Sequence, residues 1–248
     1  MSRFRIAAAQ VVSVRGDIAA NLRGHAAAIA SAGEQEVSVL IFPELSLTGY
    51  EPDLASELAI TCTDERLMPL ATLARQHQMA VVVGAPIKNF GAKPSLGAIL
   101  FGPDGSMSTY AKMHLGGSEP EFFKPGEVPL SFTTRNQTVG LAICADSSKP
   151  SHPKFYVDDG SSIYAAGVFL NSEWYQSDSP RLGEYASRHQ MLVVMANHAA
   201  SVGTYVSVGK SAIWAPDGCL VAEAPGTESS LVISTQTDQK WIGEVVLL

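Results

Sequence analysis

The stretch Thr138-Val-Gly-Leu-Ala-Ile-Cys144 is a short apolar run that ends in a cysteine and is followed at once by the polar residues 145–150. A run of this kind predicts a buried β-strand. Such a strand would hold the Cys144 sulfur rigidly, and the turn after it would leave the thiol and free backbone N–H groups open to a ligand. The position suits a nucleophile, although a cysteine that ends an apolar strand is more commonly a small core residue.

Two other segments place a reactive side chain at the end of a predicted strand. Val37-Ser-Val-Leu-Ile-Phe42 continues through a proline into Glu44, and Ser106-Met-Ser-Thr-Tyr-Ala-Lys112 alternates as a half-buried strand should. In a sheet of parallel strands such ends collect at one edge, where ligand clefts form. We therefore expect a carboxylate, an amine and a thiol to meet there.

Each of these side chains also has an ordinary structural interpretation. Glu44 could begin a loop or cap a helix, and Lys112 could be a solvated lysine at the end of a strand. The order Glu, Lys, Cys along the chain, each at a strand end, favours the site.

With these segments the chain resembles the nitrilase or carbon-nitrogen hydrolase superfamily over nearly its whole length. The opening strand 4–10 and the helix 17–32 match the start of that family. The remaining matches are Phe42-Pro-Glu44 with Thr48-Gly49-Tyr50, Tyr110-Ala-Lys112-Met-His114-Leu115, Gly140-Leu-Ala-Ile-Cys144-Ala-Asp146, Ala196-Asn197, Gly209-Lys-Ser211-Ala-Ile and Pro216-Asp217-Gly218. The resemblance implies an α/β fold, a four-layer α-β-β-α sandwich of the nitrilase type, as a single domain over residues 1–248.

The resemblance also implies a mechanism and its residues. Glu44 would be the general base, Cys144 the attacking thiolate, and Lys112, with the backbone N–H of Ala145, would stabilise the oxyanion. The implied activity is hydrolysis of a non-peptide carbon-nitrogen bond in a small amide or N-carbamoyl compound. It proceeds through a cysteine thioester and releases ammonia or an amine. Neither a metal nor another cofactor is implied.

A second glutamate is expected in the loop Glu119-Pro-Glu121-Phe-Phe123-Lys-Pro125-Gly126, which resembles a family segment with such a residue. The spacing favours Glu119, with Glu121 as the alternative. Without the flanking match the loop would be interpreted as a solvated acidic segment.

Departures from the family pattern narrow the substrate. Nitrile hydrolysers of the family carry Trp-Glu after the cysteine, whereas this chain has Ala145 and Asp146, which favours an amide. The usual Asn-Arg is replaced by Asn197-His198. A substrate carboxylate would therefore need another partner, for which Lys149, Arg181 and His198 are candidates.

Other residues carry weaker predictions. Tyr50, Trp174 and Tyr175 are expected at the mouth of the pocket. In a rival scheme His114 would join Cys144 and Asp146 in a Cys-His-Asp hydrolase, which leaves Glu44 and Lys112 without roles. Alternative functions are a non-catalytic or acyl-transferring member of the same fold, or a nitrile hydrolase.

Composition limits the partners of the protein. The net charge of −7 argues against a nucleic-acid backbone, and no segment approaches the roughly 20 apolar residues of a membrane span. Three separated cysteines suggest neither a disulfide framework nor a Cys-x-x-Cys metal site, so we expect a reducing cytoplasm. The apolar tail 241–248 would dock on its own subunit or cross to a partner, and we expect a homodimer or higher homo-oligomer.

The pattern along the chain predicts alternating strands and helices. The predicted strands lie near 3–12, 37–42, 79–85, 96–102 and 106–112, in the run into Cys144, and at 167–170 and 191–195. The predicted helices lie near 17–33, 64–77, 153–166 and 180–190, with a long loop from 113 to about 128.

Overall fold

Two mixed β-sheets lie face to face between outer helices in the computed structural model, which describes residues 3–201, 206–238 and 240–248. The strands are β1 (Arg5–Gln10), β2 (Val39–Ile41), β3 (Ala80–Ile87), β4 (Ser95–Phe101), β5 (Met107–Ala111), β6 (Ser131–Thr134), β7 (Gln137–Ile143), β8 (Ile163–Gly167), β9 (Leu192–Ala196), β10 (Ala212–Trp214), β11 (Leu220–Glu223), β12 (Ser230–Gln236) and β13 (Trp241–Leu247). The helices are α1 (Ile18–Glu34), α2 (Ala55–Leu58), α3 (Met68–Gln76), α4 (Glu119–Phe122), α5 (Ser151–Asp158) and α6 (Ser172–His189), with 3₁₀ turns at Pro52–Leu54, Glu65–Leu67 and Cys144–Ser148.

The two sheets have related topologies. The first has the order β13-β12-β1-β2-β3-β4-β5, and the second has the order β11-β10-β9-β8-β7-β6. Three adjacent strands run parallel in each sheet, β1 to β3 in the first and β7 to β9 in the second. The other strand pairs are antiparallel.

Strand β2 shows how the layers form. Val39 and Ile41 point into the apolar core between the two sheets, while Leu40 between them packs toward α1 and α3. Side chains alternate across a strand, so a strand that is buried on both faces must be apolar throughout. A third cluster packs the second sheet against α5 and α6. The predicted four-layer α-β-β-α sandwich is confirmed.

Strand direction carries the reactive side chains to one edge. Strand β5 pairs antiparallel with β4, which pairs antiparallel with β3, so β5 runs in the same direction as β2. The expectation of one sheet of parallel strands was too simple, because β5 takes this direction through two antiparallel pairings and β7 belongs to the second sheet. Strands β2, β5 and β7 end shortly before Glu44, Lys112 and Cys144 respectively.

The helix predicted over 153–166 is wrong in its second half. Helix α5 ends at Asp158, and Gly160 adopts φ +83°, a left-handed conformation that interrupts the helix. The chain then enters β8, the middle strand of the parallel set in the second sheet. The predicted strand 167–170 therefore overlaps β8 only at Gly167.

Helix α6 begins eight residues before the predicted start at 180. The side chain of Asn171 accepts a hydrogen bond from the Trp174 N–H at 2.8 Å, which caps the helix. Pro180 lies inside α6 and does not end it. Helix α4 also interrupts the stretch that was predicted as one long loop.

The tail forms β13, which pairs antiparallel with β12 of its own chain along Trp241–Leu247. It is one of the two edge strands of the first sheet. Among the described residues no helix combines the length and the apolar character needed to cross a bilayer.

Candidate active site

Cys144 occupies a sharp turn between β7 and the 3₁₀ turn Cys144–Ser148. Its φ of +42° is a left-handed value that is uncommon for a residue other than glycine. Its thiol lies 3.8 Å from the backbone oxygen of Phe169, and the residue as a whole is half-buried. The turn therefore presents the sulfur at the edge of the sheet, as a strained strand-to-helix elbow does for a nucleophile.

Lys112 links two carboxylates beside this thiol. Its Nζ donates to Glu44 Oε1 at 2.6 Å and to Glu119 Oε1 at 2.7 Å, and its side chain is fully buried. Glu44 and Glu119 are buried as well. A buried ammonium between two carboxylates is held in one position. If it moved away from either carboxylate, a buried charge would be left without a partner.

Glu119 is held by two further hydrogen bonds. Its Oε1 accepts from the Tyr50 hydroxyl at 2.9 Å, and its Oε2 accepts from the Gly116 N–H at 2.7 Å. It is the first residue of α4, whereas Glu121, two residues later, is exposed. The structure thus brings Glu119 to the site and leaves Glu121 in solvent.

Burial raises the pKa of Glu44 to about 7. Lys112 lowers the pKa and Glu119 raises it, so the net effect is that of desolvation. Glu44 Oε2 is buried and has no hydrogen-bond partner in the described part of the chain. This combination leaves one carboxyl oxygen free to take a proton near neutral pH.

The thiol and the amine influence one another. Burial raises the pKa of the Cys144 thiol, Glu44 adds to this effect, and Lys112 opposes it. Burial lowers the pKa of Lys112, but Glu44, Cys144 and Glu119 more than offset it, so the net pKa lies above its ordinary value. Lys112 therefore stays an ammonium and is the charged group that favours the thiolate.

Comparison with known proteins identifies the family of this arrangement. The family model described as carbon-nitrogen hydrolase matches residues 5–245. The chain belongs to the carbon-nitrogen hydrolase family. An (R)-stereoselective amidase of Pseudomonas sp is 28% identical over 239 residues, covering 95% of this chain and 86% of that protein. The hydrolase is an enzyme of the amidase type.

Solved structures of the amidase from Nesterenkonia sp. AN1 are similar over the whole fold. One has a TM-score of 0.87 at 25% identity and covers 95% of this chain and 93% of that chain. A variant, also with a TM-score of 0.87 at 25% identity, covers 96% and 92%. It shows covalent addition of the acetamide moiety of fluoroacetamide at its active-site cysteine.

The rival scheme needs His114 beside both Asp146 and the thiol, and the structure supports only the first of these contacts. His114 Nδ1 is 3.0 Å from Asp146 Oδ1, whereas the charged groups that act on the Cys144 thiol are Glu44, Lys112 and Glu119. The geometry therefore favours the Glu-Lys-Cys arrangement over a Cys-His-Asp one.

His114, Asp146 and His152 have the spacing of a possible metal site, with ligand atoms within 4.8 Å of one another. Both ring nitrogens of His152 already have partners, at 3.0 Å from the Tyr110 hydroxyl and 2.9 Å from the Tyr164 hydroxyl. Hydrogen bonds thus account for the cluster without an ion.

The structure does not bring His198 to the substrate side of the site. Its ring is fully buried, and Nε2 lies 2.7 Å from the backbone oxygen of Glu44, to which it donates. Burial lowers the pKa of His198 to about 4, so the ring is neutral. A buried neutral ring cannot hold a substrate carboxylate, and the prediction of substrate contact is corrected to one of support behind Glu44.

The other residues predicted to contact the substrate differ in their surroundings. Tyr50 lies in the site, with its ring stacked on Phe169 at 5.3 Å between centroids. Trp174 lies in the first turn of α6 and is 43% exposed. Lys149 is exposed, and Arg181 pairs with Asp178 at 2.6 Å.

Sequence reasoning missed three residues that shape the site. Phe169 supplies the backbone acceptor for the thiol and the face on which Tyr50 stacks. Gly84 and Gly167 allow close approach to the segment of Glu44, because a Cβ at Gly84 would lie 2.3 Å from Pro43 O and one at Gly167 would lie 2.6 Å from Phe42 O. A glycine inside a predicted strand was the only available signal.

Proposed function

We propose that this hydrolase cleaves small, uncharged primary amides to a carboxylic acid and ammonia through a thioester on Cys144. The observation that carries the proposal is the grouping of Glu44, Lys112 and Glu119 around the thiol of Cys144. The covalent adduct described for the similar Nesterenkonia amidase supports the same nucleophile here.

The first half of the reaction forms the thioester. The free oxygen of Glu44 accepts the thiol proton as the sulfur attacks the carbonyl carbon. Negative charge develops on the carbonyl oxygen, where the ammonium of Lys112 and the N–H of Ala145 stabilise it. In other enzymes a single donor of this kind lowers the activation barrier by roughly 3–4 kcal/mol. Glu44 then passes its proton to the leaving nitrogen, and ammonia departs.

The second half restores the enzyme. Water attacks the thioester carbon while Glu44 accepts one of its protons. The tetrahedral intermediate collapses, the carbon-sulfur bond breaks, and the sulfur recovers the proton from Glu44. One water is consumed for each acid and each ammonia formed. Glu119, bound to Lys112 and Tyr50, keeps the amine in place through both halves.

The charge of the site favours an uncharged acyl group. Two carboxylates and one ammonium act on the thiol, so a substrate carboxylate would meet an excess of negative charge. Of the three candidate partners for such a carboxylate, Arg181 is paired with Asp178, His198 is buried, and Lys149 is a solvated side chain.

The test is ammonia release from a matched panel without added acceptor. We expect acetamide and butyramide to be hydrolysed, whereas succinamate, N-carbamoylglycine and butyronitrile should react at least about tenfold more slowly. Mass spectrometry of quenched reactions should detect the acyl group on the peptide that contains Cys144.

The Cys144→Ala variant is the control and should release no ammonia. Activity in that variant would contradict the thioester mechanism. Preference for succinamate would contradict the proposed substrate class. Ammonia formed only in the presence of hydroxylamine would show an acyl transferase rather than a hydrolase.

A further inference from the structure

Asp146 joins the two strand ends that carry the nucleophile and the lysine. Its Oδ2 accepts from the N–H of Ile143 at 3.0 Å, immediately before Cys144. Its Oδ1 accepts from the N–H groups of Met113 at 3.1 Å and His114 at 2.8 Å, immediately after Lys112. The carboxylate is fully buried, so these hydrogen bonds form away from water. One side chain thus connects the end of β7 in one sheet to the end of β5 in the other.

A chain of hydrogen bonds from neighbouring side chains also reaches this carboxylate. The Tyr110 hydroxyl donates to Asp146 Oδ2 at 2.7 Å, and this leaves the hydroxyl oxygen to accept from His152 Nε2–H at 3.0 Å. His152 Nδ1 then accepts from the Tyr164 hydroxyl at 2.9 Å. Burial lowers the pKa of His152, which agrees with a neutral ring that donates once and accepts once. One tautomer of His152 therefore satisfies every donor and acceptor in this chain of hydrogen bonds.

We infer that Asp146 is a positioning residue that sets the separation of the Cys144 thiol from the Lys112 ammonium. It acts through the backbone of both strand ends. The inference rests on the proposed function only in that the thiol and the ammonium serve the same reaction.

An asparagine at this position cannot replace the carboxylate. It offers one acceptor oxygen instead of two, so its NH₂ group must face either Ile143 N–H or the N–H groups of Met113 and His114. Two donors then face each other without an acceptor, and one strand end loses its tie. The substitution Tyr110→Phe is the matched control, because it removes one donor to Asp146 and leaves all three backbone contacts.

The test measures the pH profile of Cys144 alkylation by iodoacetamide, with the label located by peptide mass spectrometry. The groups that act on the thiol are Glu44 from the segment after β2, Lys112 from the end of β5, Glu119 from α4 and the Phe169 backbone oxygen. Among the charged groups of this set, Lys112 favours the thiolate, whereas Glu44 and Glu119 oppose it. Loosening either strand end in Asp146→Asn would weaken the contact of the ammonium with the thiol and should therefore raise the midpoint by about one pH unit, while Tyr110→Phe should shift it by less than about 0.2.

A folded Asp146→Asn variant whose midpoint matches that of the wild type would overturn the inference. The second measurement is amide hydrogen exchange in the unaltered protein, which decides the case even where the variant does not fold. Met113, His114 and Ile143 should exchange slowly, and rapid exchange of the first two would also overturn it. Neither measurement uses amide turnover, so failure of the proposed function would appear separately, as a wild-type enzyme that releases no ammonia.

Discussion

At the scale of single residues, the environment of Glu44 suits its proposed role as a base near neutral pH. A carboxyl group with an ordinary pKa would be a weak base, and burial corrects this by penalising the charged form. Lys112 lowers the pKa of Glu44 and so limits the rise that burial causes. The same ammonium opposes the high pKa of the thiol, so one buried cation adjusts both partners in the first proton transfer.

The pH dependence follows from the protonation state that the base requires. Glu44 must be ionised to accept the thiol proton, and its pKa is about 7. We therefore expect kcat/KM for a neutral amide to rise with pH through about 7, with little activity at pH 5. The measurement is initial ammonia release between pH 5 and 9. A profile that is flat across this range would contradict the role of Glu44.

The two glutamates of the loop before β6 offer a matched pair of variants. Glu119→Gln removes a charge that holds Lys112, whereas Glu121→Gln alters an exposed side chain two residues away. Without this charge Lys112 is held less firmly, and we expect the activation free energy to rise by about 1–3 kcal/mol. This corresponds to a fall in kcat of roughly 5- to 150-fold for Glu119→Gln. Glu121→Gln should keep wild-type kcat. Equal effects of the two substitutions would show that Glu119 has no special place in the site.

At the scale of elements, the segment after β2 is confined between the two sheets. Gly84 of β3 and Gly167 at the end of β8 approach its backbone from opposite sheets. Leu45, the residue after Glu44, has φ +51°, which turns the chain sharply behind the carboxylate. Tight packing of this segment fixes where Glu44 can reach.

Gly84→Ala should reduce activity, because the new Cβ would lie 2.3 Å from Pro43 O and 2.4 Å from Leu45 N and must displace that backbone. A misplacement of about 1 Å can lower the rate roughly 100-fold. We expect a loss of this order in kcat, measured together with thermal unfolding.

Gly24→Ala is the control, since a Cβ added at this position on α1 would meet no atom of the described residues within 4 Å. It should keep full activity and stabilise the protein by about 0.4–1 kcal/mol. Full activity in Gly84→Ala would show that the close approach does not position Glu44.

At the scale of the whole molecule, the four layers leave an edge strand at one side of the first sheet. Ile242, Val245 and Leu247 of β13 are exposed, and an apolar edge strand is a surface that proteins commonly cover. The structure pairs β13 with β12 of its own chain, which is one of the two fates expected for the tail. Assembly and cytoplasmic location stay predictions.

We expect light scattering after gel filtration to give twice the mass of one chain or more. Replacing Ile242 and Leu247 by Thr should lower that mass if β13 lies in the interface, because apolar contact supplies most of the association energy. Both side chains are exposed in the single chain, so the monomer should stay folded. A wild-type protein that runs as a monomer would refute the predicted oligomer.

Much of the fold could be predicted from the chain because its signals are local. The apolar runs that became β2, β7 and β9 have a length and a periodicity that few other structures satisfy. The boundary between α5 and β8 could not be predicted in the same way. Residues 161–166 are compatible with a helix by composition, and they become a strand because β7 and β9 supply hydrogen-bond partners on both sides.

The sequence by itself determined the family and, through that resemblance, the layered architecture and the candidate reactive side chains, because the family motifs are written in consecutive residues. Only the tertiary structure decided how those side chains cooperate. It selected Glu119 over Glu121, placed His198 behind Glu44 and made Asp146 the link between two strand ends. The physical reason is that burial, pKa and hydrogen-bond partners depend on residues distant along the chain, which no local pattern specifies.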